Sequence, residues 1–103
     1  MYKLIVFIPK SHLEKVRNAI CEAGAGRIGN YDHCTFTTEG IGTYRPLKGA
    51  KPFKGKIGKL EMVKEARLEA VVPKNLLKKA VRAMKKAHPY EEPAYEIIRL
   101  ITV

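Results

Sequence analysis

Shifted by 64 positions, the chain falls on itself. Leu4, Val6, Ile8 and Pro9 land on Leu68, Ala70, Val72 and Pro73; Lys10 and Ser11 land on Lys74 and Asn75; Leu13, Lys15, Val16 and Ile20 land on Leu77, Lys79, Ala80 and Met84. Cys34 and Phe36 land on Ile98 and Leu100. Each half repeats one pattern: alternation of period two, a proline that ends it, a stripe at spacings of three and four, then alternation again. That pattern reads as strand, helix, strand, twice. Right-handed crossovers put both helices of such a duplicated unit on the same side of one sheet. The predicted fold is α+β, a ferredoxin-like βαββαβ sandwich whose antiparallel sheet carries two helices on one face, in strand order 4-1-3-2. The 103 residues suffice for one hydrophobic core, so 1–103 is assigned as a single domain.

Tyr2 to Ile8 is apolar on both faces and belongs in the middle of the sheet. Ser11 and Glu14 have capping-box spacing, which predicts a helix from Ser11 to Ala23, stopped by Gly24. His33 to Thr38 is expected as the second strand and Met62 to Val72 as the third. Between them, at about 39–61, lies a Gly/Lys-rich loop or extended hairpin with little periodicity. The second helix follows Pro73 with Asn75 as its expected cap, and the last strand is expected over Tyr95 to Thr102. Alternation directs Ile5, Phe7, Val71, Tyr95, Ile97 and Ile101 to the open face of the sheet, with Glu65, Arg67, Glu69, Arg99 and His33 among them. Such a patch on a monomer predicts self-association through the open face, against the alternative of a half-solvated sheet. The charges there are expected to form structural ion pairs.

The formal charge of +10 biases the surface toward polyanions. No recognition-helix, zinc-finger or aromatic RNA-binding pattern accompanies it, so nucleic acid is a lesser, purely electrostatic alternative. Membrane association is not expected: no apolar run approaches a membrane span, and the first residues lack a basic leader, which together point to the cytoplasm. Cys21 and Cys34 are too few for a disulfide framework and are expected as free thiols, Cys34 as a small buried hydrophobe.

Three stretches carry a family resemblance: Gly26-Arg27-Ile28-Gly29-Asn30-Tyr31-Asp32-His33-Cys34-Thr35-Phe36, then Gly40-Ile41-Gly42-Thr43-Tyr44-Arg45-Pro46, then His88-Pro89-Tyr90-Glu91-Glu92-Pro93-Ala94. In this order they closely resemble the small domain inserted in YqfO-type proteins, members of the dinuclear-metal family named after a yeast coactivator-interacting factor. Here it is expected as a stand-alone domain. The His-Pro-Tyr-x-x-Pro element also resembles the C-terminal motif of CutA, the divalent-cation-tolerance protein. The resemblance implies a PII-like or CutA-like module assembled as a homotrimer. It does not imply the family's dimetal chemistry, because the flanking segments that hold the metals in the longer relatives are not in this sequence.

The residues themselves offer two polar clusters and a loop. His88, Tyr90, Glu91 and Glu92 sit on a connector stiffened by Pro89 and Pro93; imidazole and carboxylate at His88 and Glu91 could ligate a divalent metal or take an amine. The alternative is structural, a helix stop with Tyr90 packed against a neighbour. His88 at the helix end is expected to favour its protonated form, through the helix dipole and nearby carboxylates. His33, the second candidate, belongs to the opposite sheet edge, roughly 14 Å away across three inter-strand spacings. A site joining it to His88, Glu91 and Glu92 would therefore form only between subunits. In the loop, Gly40, Gly42, Lys48, Lys51, Lys54 and Lys56 read either as a mobile ligand loop or as an arm reaching a neighbouring subunit. No nucleophile, base and orienting group can be assembled. The expected function is a non-enzymatic oligomeric module binding a small ligand or a partner protein. The alternative is a CutA-like metal-binding protein with an inter-subunit divalent-metal site; no other cofactor is indicated.

Overall fold

The third strand is the longest, and its register with two neighbours fixes the architecture. The computed structural model describes residues 1–101 and 103. Its elements are β1 (Tyr2–Pro9), α1 (Leu13–Glu22), β2 (Phe36–Tyr44), β3 (Glu61–Val72), α2 (Leu77–Ala87) and β4 (Tyr95–Arg99). The strands form one sheet in the order β2-β3-β1-β4, antiparallel throughout. The predicted sandwich, its strand order and the central place of β1 agree with this arrangement. No helix among the described residues is long and apolar enough to cross a membrane.

Leu4 lies between Ala70 and Ile97, and Val6 between Leu68 and Tyr95. These positions share the face beneath the helices, where α1 contributes Val16 and Ile20 and α2 contributes Ala80 and Met84. Leu4, Val6, Ile8, Val16, Ile20, Leu68, Val72, Ala80 and Met84 are fully buried. Each large apolar side chain removed from water here contributes about 1.5–3 kcal/mol, which makes this layer the main source of stability.

Several local expectations are corrected. Both helices begin with a 3-10 turn, Lys10–His12 and Lys74–Leu76, so the α-helical N-caps are His12 and Leu76 with no side-chain cap bond. Ser11 lies inside its turn and bonds to His12 Nδ1 at 2.9 Å; the capping box with Glu14 and the Asn75 cap do not form. The second strand starts at Phe36, not His33, because the preceding connector is tied elsewhere: Gly26 N–H donates to Val71 O at 2.7 Å and Cys34 N–H to Gly26 O at 2.8 Å. Gly26 takes a φ of 77°, and a Cβ there would come within 2.9 Å of the Cys34 carbonyl, so only glycine lets the strands' connector pass this closely. His33 follows with a φ of 55°, outside any strand.

The open face also differs. Pairing of Ile5 with Glu96 puts Glu96 and Ile98 on that face, while Tyr95, Ile97 and Arg99 share the parity of Leu4 and lie on the helix side. Ile101 lies beyond β4, almost fully exposed. The reading failed because β4 is apolar at both parities. Ile5, Phe7, Val71, Glu65, Arg67 and Glu69 do face outward, joined by Phe36 of β2. Ile5 is nonetheless fully buried, Phe36 and Ile98 are 68% and 45% exposed, and Glu69 ion-pairs with Lys3 and Arg67 at 3.5 and 3.7 Å. The last strand ends at Arg99; its expected end, Thr102, lies outside the described residues.

Two features frame the site. The pairing of β1 with β3 ends at Pro9 and Glu65, so residues 61–64 pair with β2 alone and a two-stranded hairpin runs past the sheet, giving a molecule 46 Å long and 24 Å across. At the other end Leu100 N–H donates to Met1 O at 3.0 Å, which holds the two chain ends side by side. Urea denaturation checks the core assignment: Leu68→Ala should cost about 3 kcal/mol and the exposed Lys79→Ala no more than about 0.5 kcal/mol.

Candidate functional site

Pro89 restricts its predecessor to extended backbone, so α2 stops at Ala87 and His88 leaves with ψ of 137° while its N–H still caps Met84 O at 2.9 Å. The ring turns inward, 6% exposed. Nδ1 accepts the Tyr90 N–H at 3.1 Å, so the ring proton is on Nε2, which donates to the Phe7 carbonyl at 2.8 Å. Both ring nitrogens are thereby used. Burial is the largest influence on His88 and pushes its pKa below 6.5, against the opposing pull of the Phe7 carbonyl and Glu65. The expected protonated, dipole-assisted histidine is corrected: loss of hydration outweighs the helix end.

This anchoring positions Tyr90. Its ring meets His88, Tyr44 and Phe53 at centroid distances of 5.0, 5.6 and 6.2 Å, and its hydroxyl donates to Glu65 Oε2 at 3.0 Å. Burial, then the Glu65 carboxylate, raise the phenol far above its ordinary range, and burial also raises Tyr44. Glu65 reaches this position by folding across Gly42, where any Cβ would collide with its carboxylate. Gly42, first read as part of a loop, therefore lies on β2 and makes room for a side chain of the adjacent strand β3.

The loop of residues 45–60 folds back onto this cluster. Tyr44 Oη donates to Lys54 O at 2.6 Å, Gly58 N–H to Pro46 O at 2.7 Å, and Lys51 N–H to Glu91 Oε1 at 2.9 Å. Lys54 also lies 3.7 Å from Glu61. Between loop and connector opens a cleft of about 660 Å³ lined by Phe7, Tyr44, Phe53, Tyr90 and Glu65, with Arg45, Lys48, Glu91 and Glu92 also on its walls. The volume is in the range of small-molecule sites.

Of the candidates read from the sequence, Tyr90, Glu91, Glu92 and Lys48 come together here, with His88 behind them as an anchor. Lys51 contributes its backbone amide and Lys54 its carbonyl. Gly40 is exposed on β2 and Lys56 is exposed on the loop. His33 is elsewhere: the connector bonds to Val71, opposite Lys3, place it near the start of β1, whereas His88 holds the end, and among the described residues its only ionic neighbour is Asp32 at 3.3 Å. His88 and Glu91 do not converge as ligands. Among the described residues no three His, Cys, Asp or Glu side chains gather as a metal site, so a metal would need groups from a neighbouring subunit. The sequence reading missed Glu65, Tyr44 and Phe53 as site residues. Tyr44 and Phe53, the two aromatics inside the Gly/Lys-rich stretch at about 39–61, were the available signal. Cys21 is buried and its thiol pushed up by burial, Cys34 is half-buried, and both are free.

No protein-family model matches the chain. It is 57% identical over 95 residues to the GTP cyclohydrolase 1 type 2 homolog of Bacillus subtilis, spanning 92% of this chain and 26% of that protein. The protein of the same name from Halalkalibacterium halodurans is 51% identical over 100 residues, 97% of this chain and 27% of the relative. The chain thus spans about a quarter of the length of the curated relatives it matches. Among solved structures, a Bacillus cereus protein related to NIF3 superposes with a TM-score of 0.84 at 48% identity, over 98% of this chain and 26% of that one. CutA1 from Pyrococcus horikoshii superposes with a TM-score of 0.71 at 21% identity, over 100% of this chain and 86% of that one, a likeness of fold.

Two measurements check the cluster. Because the folded pKa of His88 lies below its unfolded value, the unfolded chain binds the proton first, and stability falls as pH drops below about 6.5 toward the folded pKa. Wild type should lose more stability across that window than His88→Gln in urea titrations, and parallel curves would refute the assignment. Tyr90→Phe, which removes the donor to Glu65, should cost about 1 kcal/mol without changing the cooperativity of unfolding.

Proposed function

We propose that this chain is the PII-like or CutA-like domain of the YqfO type, working as a non-enzymatic oligomeric module that binds a small ligand or a partner protein. Its likeness to one quarter of much longer bacterial proteins supports a domain with its own binding role. The cyclohydrolase activity in those proteins' name is not extended to this segment. The observation that carries the reading is the cleft itself, built where a glycine-rich hairpin loop meets the His-Pro-Tyr connector: Lys51 N–H donates to Glu91 Oε1 across the junction, the Tyr44 hydroxyl holds the loop through Lys54 O, and His88 Nδ1 holds the connector through the Tyr90 N–H. Its tyrosine is held protonated and its histidine neutral with both nitrogens engaged, an arrangement suited to holding shape.

Self-association, as a homotrimer, accounts for the sheet's outer face. Phe36 and Ile98 are exposed at its two edges, and the ion pairs of Lys3, Glu69 and Arg67 lie between them. Burying that face would satisfy the apolar edges while leaving the charges paired. Native mass spectrometry of freshly purified protein tests both parts of the proposal. The expected mass is three times 11.6 kDa, with any retained small molecule adding to it; a monomer at micromolar concentration would overturn the assembly.

A further inference from the structure

We infer that the cleft between the hairpin loop and the α2–β4 connector is a site for a small organic cation, an ammonium or guanidinium on a short carbon body. The inference deepens the reading of the chain as a ligand-binding module and rests on it. Its starting point is Glu65. This carboxylate is half-buried on the outer face of the sheet, at the cleft, in a chain with 20 lysines and arginines. No lysine, arginine or histidine among the described residues comes within 4.0 Å of it, whereas Glu69, four residues further along on the same strand face, has both Lys3 and Arg67. Among the described residues its one hydrogen bond is from the Tyr90 hydroxyl, which fills one of about four acceptor sites.

The surroundings complete the chemistry. Tyr44, Phe53 and Tyr90 form a contiguous aromatic wall, tilted by 51° to 61° to one another, so ring faces as well as edges border the cleft. A cation over such faces gains cation–π attraction, and desolvation strengthens it. Tyr90 keeps its proton far above neutral pH, so it adds no competing charge and orients the carboxylate through its donated bond. Gly42 is what lets Glu65 lie flat across β2, and a side chain there would displace the carboxylate. Arg45 and Lys48 line the cleft too, but neither neutralises Glu65. The carboxylate is therefore left for a cation that is not part of this chain.

The experiment is isothermal titration calorimetry of the full chain with three probes of similar size or simpler: agmatine as the cation, pentanol as an uncharged body, and inorganic phosphate as an anion. Agmatine should bind with saturable heat and the other two should not. Glu65→Gln, which keeps an acceptor for Tyr90, should weaken agmatine at least about tenfold, and Gly42→Val should do the same by displacing the carboxylate. Circular dichroism of each variant confirms folding before titration. Phosphate binding in place of agmatine would overturn the cation assignment while leaving a ligand site in the cleft. Agmatine binding unchanged in Glu65→Gln, or no binding of agmatine at millimolar concentration, would overturn the inference outright; neither result touches the oligomer mass.

Discussion

One hydrogen bond joins the two layers of this protein where they part, from His88 Nε2 to the Phe7 carbonyl. The end of α2 and the end of β1 come from opposite halves of the sequence, and each leaves a backbone group without a partner of its own kind. The imidazole satisfies the strand's carbonyl with one nitrogen and the connector's amide with the other, so a single side chain closes the helix layer onto the sheet. Its neutral state follows from that geometry, since protonation would leave the Tyr90 amide facing a second donor. Everything in the cleft is placed relative to this point: the Tyr90 ring, the Glu65 carboxylate it holds, and the loop that rests on both.

The fold was legible because duplication writes each constraint twice. The alternation at Leu4, Val6 and Ile8 is repeated at Leu68, Ala70 and Val72, and the two helical stripes share one spacing, so both core faces could be named before any contact was known. Legibility ended where two patterns were equally good. In β4, Tyr95 and Ile97 compete with Ile98 and Leu100 for the core, and only pairing with Ile5 and Leu4 decides between them. The second strand was misplaced for a different reason: a residue at a φ of 55° and a glycine closely packed under a carbonyl broke the extended chain before Phe36, and neither is visible as hydrophobicity.

The site was half legible. His88, Tyr90, Glu91 and Glu92 stand together in sequence and could be marked by residue type alone. Glu65 could not, because its neighbours on the strand made it look like one more member of an ion-paired row. What separates it from Glu69 is what its side chain meets: Gly42, diagonal to it on β2, on one side and a tyrosine delivered from 25 residues away on the other. Long-range delivery of that kind leaves no periodic trace. The same holds for the histidine, whose chemistry was read from its helix and is governed by a strand 81 residues distant.

The contact between Met1 and Leu100 has a consequence for how such a domain can be carried. Because antiparallel β1 and β4 bring the first and last strand residues together as the pair Tyr2 and Arg99, a longer polypeptide could enter and leave at points about 5 Å apart. To a host, the whole unit then behaves like an enlarged surface turn: splicing it in neither stretches the host backbone nor forces its two sides apart, and the loop-closure entropy is met by the domain's own folding. Folding of guest and host can remain independent, while the far end of the hairpin, 46 Å of molecule away at most, is free to lean over whatever surface the host presents.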